Sequence, residues 1–308
     1  MKNDRFFGKD ILSTSQFTHE DIDTVLKRAT EMREIVKTKG ATDLLHGKIM
    51  TALFYEPSSR TFGSFITAMQ RLGGGFIPLQ GVTYSSVAKG ETLEDTVATF
   101  ANFSDVIVLR HPQVGAAKLA AAASPVPVIN AGDGPGEHPT QALLDLFTII
   151  DHFRSVDGKT ITLVGDLLNG RTVHSLMTLL QLFQPKAINL VAPKELRMPS
   201  EILKTIKTPV FETENLDEVL TSTDVLYVTR VQKERFQNLT VYEKLKDRFV
   251  ITRDTMKKLG KDAIVMHPFP RVSEISTEVD SDARALYLRE QIKNGMYVRM
   301  ALLSLVLA

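Results

Sequence analysis

The chain has 308 residues, with 37 Lys and Arg against 36 Asp and Glu, and neither cysteine nor tryptophan. At roughly 100–200 residues per domain, that length points to two domains, each with its own core. The formal charge of +1 leaves no chain-wide bias toward nucleic acid or anionic membrane, so any anion site is local. Without cysteine there is no disulfide framework, thiolate metal site or thiol nucleophile, which fits a reducing, cytoplasmic setting.

No stretch reaches 18 uninterrupted apolar residues, and the start MKNDRFFGKDILS has no apolar signal core, so neither a membrane span nor a secretory leader is expected. Short Val- and Ile-rich runs alternate with amphipathic stretches, the pattern of βαβ units around mostly parallel sheets. A helix is predicted over 18–37 and a strand over 48–55. Glu56-Pro57-Ser58-Ser59-Arg60-Thr61 then leads into a helix over 60–72, whose apolar face is Phe62, Phe65, Ile66, Met69 and Leu72. Ser58 or Ser59 suits the N-cap, and the free N–H groups of the next turn, the hydroxyls and Arg60 together form a site for a phosphate-sized anion. Read alone, the loop is equally a capped helix with a solvated arginine.

Val82–Glu91 (VTYSSVAKGE) offers Ser85, Ser86 and Lys89 to an anion, although a mobile surface loop is the commoner meaning of such a stretch. A helix over 91–103, a strand over 106–109, a helix over 113–123 and a strand over 126–129 follow. Arg110-His111-Pro112 and the run from Gly132 to Gln141 (GDGPGEHPTQ) both lie at carboxyl ends of predicted strands, where open α/β sheets bind ligands. Pro139 suits the first position of a helix over 139–153, which leaves His138 at the cap and Gln141 on the first turn. His138 there either donates to an oxygen gaining negative charge or merely satisfies backbone groups.

A break near Ser155-Val156-Asp157-Gly158 precedes a second series of strands over 160–165, 187–192, 224–229 and 263–267, with helices over 171–183, 199–206 and 216–221. Gly165-Asp166-Leu167-Leu168-Asn169-Gly170-Arg171 lacks the G-x-G-x-x-G of a dinucleotide loop, so the cofactor reading is weak. Arg230 and Gln232 follow the third of these strands, and His267-Pro268-Phe269-Pro270-Arg271 the fourth. Two arginines on one crevice suit a carboxylate ligand, because guanidinium binds carboxylate through two parallel bonds. A terminal helix is expected over 283–307. Arg60, Lys89, Arg110, Arg171 and Arg230 all sit beyond strand ends or in a polar loop of a nearly neutral chain, a distribution that anionic ligands explain.

These loops resemble the transcarbamoylases. Glu56–Thr61 is similar to their carbamoyl-phosphate signature, with Ser59 where threonine is commoner, and His138-Pro139-Thr140-Gln141 matches their second shared motif. Lys89-Gly90-Glu91-Thr92, Gly170–Ser175 (GRTVHS), Thr229–Arg235 (TRVQKER) and His267–Arg271 (HPFPR) resemble the aspartate branch. The ornithine branch characteristically carries His-Cys-Leu-Pro at the last position and a Ser-Met-Gly loop that this chain lacks. The resemblance covers the chain from about Leu12 to its end.

It implies an α/β fold of two domains, each a mostly parallel sheet flanked by helices, with the active-site cleft between them. The carbamoyl-phosphate domain would span 1–150 and the aspartate domain 151–287, and the C-terminal helix 288–308 would return to the first domain. It further implies carbamoyl transfer from carbamoyl phosphate to L-aspartate in pyrimidine biosynthesis. Thr61, Arg110 and His138 would be catalytic. Ser58, Ser59, Arg60, Thr61, Ser85, Lys89, Arg110, His138 and Gln141 would bind carbamoyl phosphate. Lys89, Arg171, Arg230, Gln232 and the carbonyls of Pro268 and Phe269 would bind aspartate. No metal and no cofactor is implied. A homotrimer is, with Ser85 and Lys89 entering a neighbour's site, and Arg197-Met198-Pro199, the run Met266–Ile275 and Asn294-Gly295-Met296-Tyr297 look most like chains linked to further pyrimidine-pathway domains. The alternatives are a non-catalytic phosphate- or amino-acid-binding relative and an ornithine carbamoyltransferase.

Overall fold

Parallel strands buried on both faces need nearly continuous apolar runs, and the runs read from the sequence form two such sheets. The structure, a computed structural model, describes residues 5–81 and 86–308. It divides into two units, one holding the residues through Leu144 together with Lys293–Ala308, the other Asp145–Ile292.

In the first unit, β1 (Ile49–Phe54), β2 (Gly75–Gln80), β3 (Val106–His111) and β4 (Val128–Asp133) form a parallel sheet in the order β2-β1-β3-β4. The helices α1 (His19–Lys39), α2 (Ser59–Arg71), α3 (Leu93–Ala101) and α4 (Ala116–Ala123) accompany it. Leu53, Ile107, Leu109 and Val128 of the strands pack with Val97 of α3 and Ala117 and Ala120 of α4. The edge strand β2 was not expected from the sequence. Its residues, GFIPLQ, include a glycine and a proline and are only partly covered; an edge strand tolerates a proline that a central one would reject.

In the second unit, β5 (Thr160–Val164), β6 (Ala187–Val191), β7 (Val210–Thr213), β8 (Val225–Val228) and β9 (Ile264–Met266) form a parallel sheet in the order β7-β6-β5-β8-β9. Between β5 and β6 lies α6 (Arg171–Leu180), and between β6 and β7 the single turn α7 (Ser200–Leu203). The exposed edge strand β7 and the short helices α8 (Leu239–Leu245) and α9 (Arg253–Lys258) escaped the sequence reading. The helix expected over 216–221 is instead two 3-10 turns, Leu216–Glu218 and Leu220–Ser222. β-branched Val219 and Thr221 disfavour an α-helix there.

The chain passes between the units within α5 (Pro139–Phe153) and within α10 (Glu290–Leu307). α10 starts at Glu290 rather than at 283. Residues 297–307 are buried around the whole helix, as a core helix requires. Gly8 N–H donates to the Val306 carbonyl at 3.0 Å, which holds the N-terminal segment on that helix.

Candidate active site

Ligands of open α/β sheets collect beyond the carboxyl ends of the strands, at the point where strand order reverses. In the first sheet that point lies between β1 and β3, with Phe54 opposite Arg110. The loop after β1 enters α2 with Ser58 at the N-cap, and its hydroxyl makes no capping hydrogen bond. Phe62 N–H closes the first helical bond onto the Ser58 carbonyl. The N–H groups of Ser59, Arg60 and Thr61 therefore precede the helical ladder and carry the positive end of the helix dipole. Thr61 is buried, whereas Ser59 and Arg60 are exposed.

Arg110 is buried at the end of β3. Its Nη2 lies 2.8 Å from Glu56 Oε2, and its Nη1 donates to the Ala131 carbonyl at 3.2 Å. Glu56, which the sequence reading quoted without a role, thus orients the arginine. The neighbouring His111 is held below the usual imidazole range by burial, against the opposing charges of Asp133 and Glu56.

After β4 the chain turns at Gly134, where φ is +56° and a Cβ would come 2.1 Å from the Pro112 carbonyl oxygen. Only glycine fits so close an approach. Asp133 accepts from the Glu137 and Gly115 amides at 2.7 and 2.9 Å. Glu137 accepts from the Ser13 hydroxyl and from the Thr14 amide and hydroxyl, all at 2.6 Å. The loop so clamped delivers buried His138 to the start of α5, where its carbonyl accepts from Gln141 and Ala142. Beneath it, buried Arg299 of α10 donates to Ser64 Oγ of α2 at 2.5 Å and to Thr140 Oγ1 of α5 at 3.5 Å. Nothing in the sequence singled out this buried cation, because its partners lie far away on α2 and α5. Lys89, itself exposed, ends the 3-10 turn Ser86–Lys89 on the loop after β2, and Ser85 lies outside the described residues.

In the second sheet the reversal lies between β5 and β8, where Val164 faces Val228. Gly165 ends β5 with φ +118°, and a Cβ there would meet the Thr229 carbonyl oxygen at 2.1 Å. Beyond it the two loops are tied through buried Asp166. Its carboxylate accepts from the Asn169 amide at 2.9 Å and from the Gln232 amide at 3.2 Å, and the Gln232 side chain donates to the Asn169 carbonyl at 2.9 Å. Burial nevertheless pushes the Asp166 carboxyl above its ordinary value. Burial also lowers His174, so its neutral ring donates from Nε2 to the Leu167 carbonyl at 2.7 Å. Arg171 is the first residue of α6.

Arg230 forms a two-pronged pair with Glu234. Burial alone would lower Arg230, but the carboxylate outweighs it and holds the guanidinium charged, while Glu234 is lowered by the same bonds. After β9, Phe269 adopts a left-handed φ of +57°, rare for a bulky residue. Its N–H donates to His267 Nδ1 at 2.8 Å, which leaves Nε2–H to donate to Glu274 at 2.7 Å. Glu274 also accepts from the Val272 and Ser273 amides. Burial raises the Glu274 carboxyl, but these donors prevail and it lies below the ordinary range.

Each unit therefore gathers its own set. Arg110 lies at the carboxyl end of β3, Thr61, His138 and Gln141 follow β1 and β4, and Arg171, Arg230, Gln232 and Phe269 follow β5, β8 and β9. Among the described residues, no cluster of three or more His, Asp or Glu is placed to hold a metal ion, and no helix is long and apolar enough to cross a membrane.

Residues 9–151 match the family domain described as aspartate/ornithine carbamoyltransferase, carbamoyl-P binding, and residues 157–306 match the Asp/Orn binding domain of the same family. The aspartate carbamoyltransferase catalytic subunit of Thermococcus kodakarensis is 48% identical over 303 residues, covering 97% of each chain. The multifunctional protein pyr1-3 of Dictyostelium discoideum is 53% identical over 302 residues, 97% of this chain, and the chain spans 13% of that protein's length. Aspartate transcarbamoylase from Trypanosoma cruzi, in complex with carbamoyl aspartate and phosphate, matches with a TM-score of 0.95 at 45% identity, covering 100% of this chain and 99% of that one.

Proposed function

The chain belongs to the aspartate/ornithine carbamoyltransferase family, and from that premise we propose how its residues share the work of carbamoyl transfer. The enzyme moves the carbamoyl group of carbamoyl phosphate to the amine of L-aspartate, giving N-carbamoyl-L-aspartate and phosphate, a step of pyrimidine biosynthesis. The reading rests above all on the donors Thr61, Arg110 and His138 at the carboxyl ends of three adjacent parallel strands, β1, β3 and β4.

Ser58, Ser59, Arg60 and Thr61 hold the phosphate, with the α2 dipole and orphan amides adding to the side chains. The amine lone pair attacks the carbonyl carbon and the C=O electrons move onto oxygen. Thr61, Arg110 and His138 donate to that developing oxyanion, and Gln141 holds the carbamoyl amide. The tetrahedral species collapses by breaking the carbon–oxygen bond to phosphate, and the amine's proton leaves with the phosphate. Donors fixed before the reaction lower the barrier because they need no reorganisation as charge appears. Arg171, Arg230 and Gln232 hold the carboxylates of aspartate, and the Pro268 and Phe269 carbonyls accept from amino groups. Both Nη groups of Arg230 bond Glu234, so aspartate would take that carboxylate's place on the planar guanidinium fork. His267-Pro268-Phe269-Pro270 in place of a cysteine-bearing loop favours aspartate over ornithine.

Ser85 and Lys89 serve the site of a neighbouring copy in a homotrimer, a reading supported by the exposed position of Lys89 and by the motif it belongs to. The multifunctional relative supports a chain that works linked to other pyrimidine-pathway domains. We place the enzyme in the cytoplasm on its cysteine-free composition. Arg60→Ala tests the anion loop: turnover falls by about 10²–10³-fold with the fold intact. Near-normal turnover at saturating carbamoyl phosphate refutes the role.

A further inference from the structure

Asp145, Tyr227 and Gln291 carry polar groups that none of the roles above uses, and all three are buried. Asp145 follows the His138–Gln141 turn on α5. One carboxylate oxygen accepts from the Tyr227 hydroxyl at 2.7 Å, and the other accepts from Gln291 Nε2 at 2.6 Å. Gln291, near the start of α10, accepts in turn from the His267 amide at 2.9 Å. The His267 ring then holds the Phe269 amide from Nδ1 and Glu274 from Nε2. Tyr227 lies on β8, three residues before Arg230, and His267 opens the loop of Pro268 and Phe269, whose carbonyls are proposed above to accept from amino groups.

We propose that Asp145, Tyr227 and Gln291 are positioning residues for the amino-acid side of the site, holding the ends of β8 and β9 in register through one buried hydrogen-bond chain. The inference rests on the aspartate reading above. Its physical basis is the cost of burying polar groups. An apolar core would pack these strands without a carboxylate, an amide and a phenol, and a partly satisfied network is worse than none. A fully paired chain, by contrast, permits one geometry. Gln291 is suited to its place because one end must donate to Asp145 while the other accepts from His267. Phe269, held at positive φ, needs such an over-determined surround to stay there.

Gln291→Glu tests this by keeping the acceptor for His267 while setting a carboxylate against Asp145. The Michaelis constant for aspartate rises about tenfold, as misplaced binding groups produce, and that for carbamoyl phosphate stays within about twofold. Hydrogen exchange at the His267 and Phe269 amides speeds up. The double change Asp145→Asn with Gln291→Glu restores each donor and acceptor in mirrored order and returns both readouts toward the parent. An unchanged aspartate constant, a parallel rise in both constants, unchanged exchange, or no recovery in the double variant overturns the proposal. Should Gln291→Glu not fold, Tyr227→Phe, which removes one hydroxyl, carries the same comparison under the same criteria. Parent turnover of aspartate reports on the functional reading separately, and the exchange readout stands even if that turnover is absent.

Discussion

His138 shows how a single position is built from constraints on both sides. Pro139 can begin a helix but not continue one, so the residue before it becomes the cap. Glu137, anchored by Ser13 and Thr14, fixes the approach. His138→Ala is expected to lower kcat by about 10²–10³-fold without shifting the melting temperature appreciably; steady-state kinetics with a thermal melt checks both. Glu274 makes a different prediction. Its carboxyl is lower in the folded chain than its ordinary value of 4.5, so its contribution is present above that value and lost as pH falls through the folded one. Urea midpoints between pH 6 and 3 should decline less steeply below pH 4.5 in Glu274→Gln than in the parent. Equal slopes would remove Glu274 from the acid limb. Arg60, Arg110 and Arg230 were legible in the sequence because cations beyond strand ends are conspicuous in a nearly neutral chain. Asp166 and Arg299 were not, since a buried charge is recognised by its partners and those lie far away in sequence.

The principal strands of both sheets could be read from continuous Val- and Ile-rich runs, because both of their faces are covered. β2 and β7 could not, being edge strands with one lateral partner each and half-exposed faces. Neither shows the continuous Val- and Ile-rich run of a strand covered on both faces, because little of either is buried. The long helices were legible from their apolar stripes and the short α8 and α9 were not, because helices of seven and six residues show barely two turns of pattern. Glycines at strand ends carry the sharpest prediction at this scale. Gly165→Ala combines a left-handed φ with a Cβ 2.1 Å from the Thr229 oxygen. It should cost about 2–4 kcal/mol in chemical denaturation and weaken aspartate use, since it pushes apart the two loops that Asp166 joins. A wild-type midpoint would show that the backbone yields there at little cost.

At the scale of the molecule, the chain crosses between units inside α5 and α10, where no composition shift marks the passage, so the sequence alone could only set a boundary in the loop near Ser155–Gly158. In the proposed reaction both substrates are anions, and cationic side chains beside them offset their mutual repulsion. The shared-site reading predicts that Lys89→Ala chains mixed with His138→Ala chains regain part of the parent activity, because some hybrid sites combine the intact half of each. Properly assembled hybrids without recovery would mean that each chain completes its own site. The central claim is most directly tested by measuring ureido product from purified chain supplied with carbamoyl phosphate and either L-aspartate or L-ornithine. The account predicts carbamoyl aspartate with release of one phosphate per product, and no citrulline. Citrulline in place of carbamoyl aspartate, or no product with either amine, would contradict it.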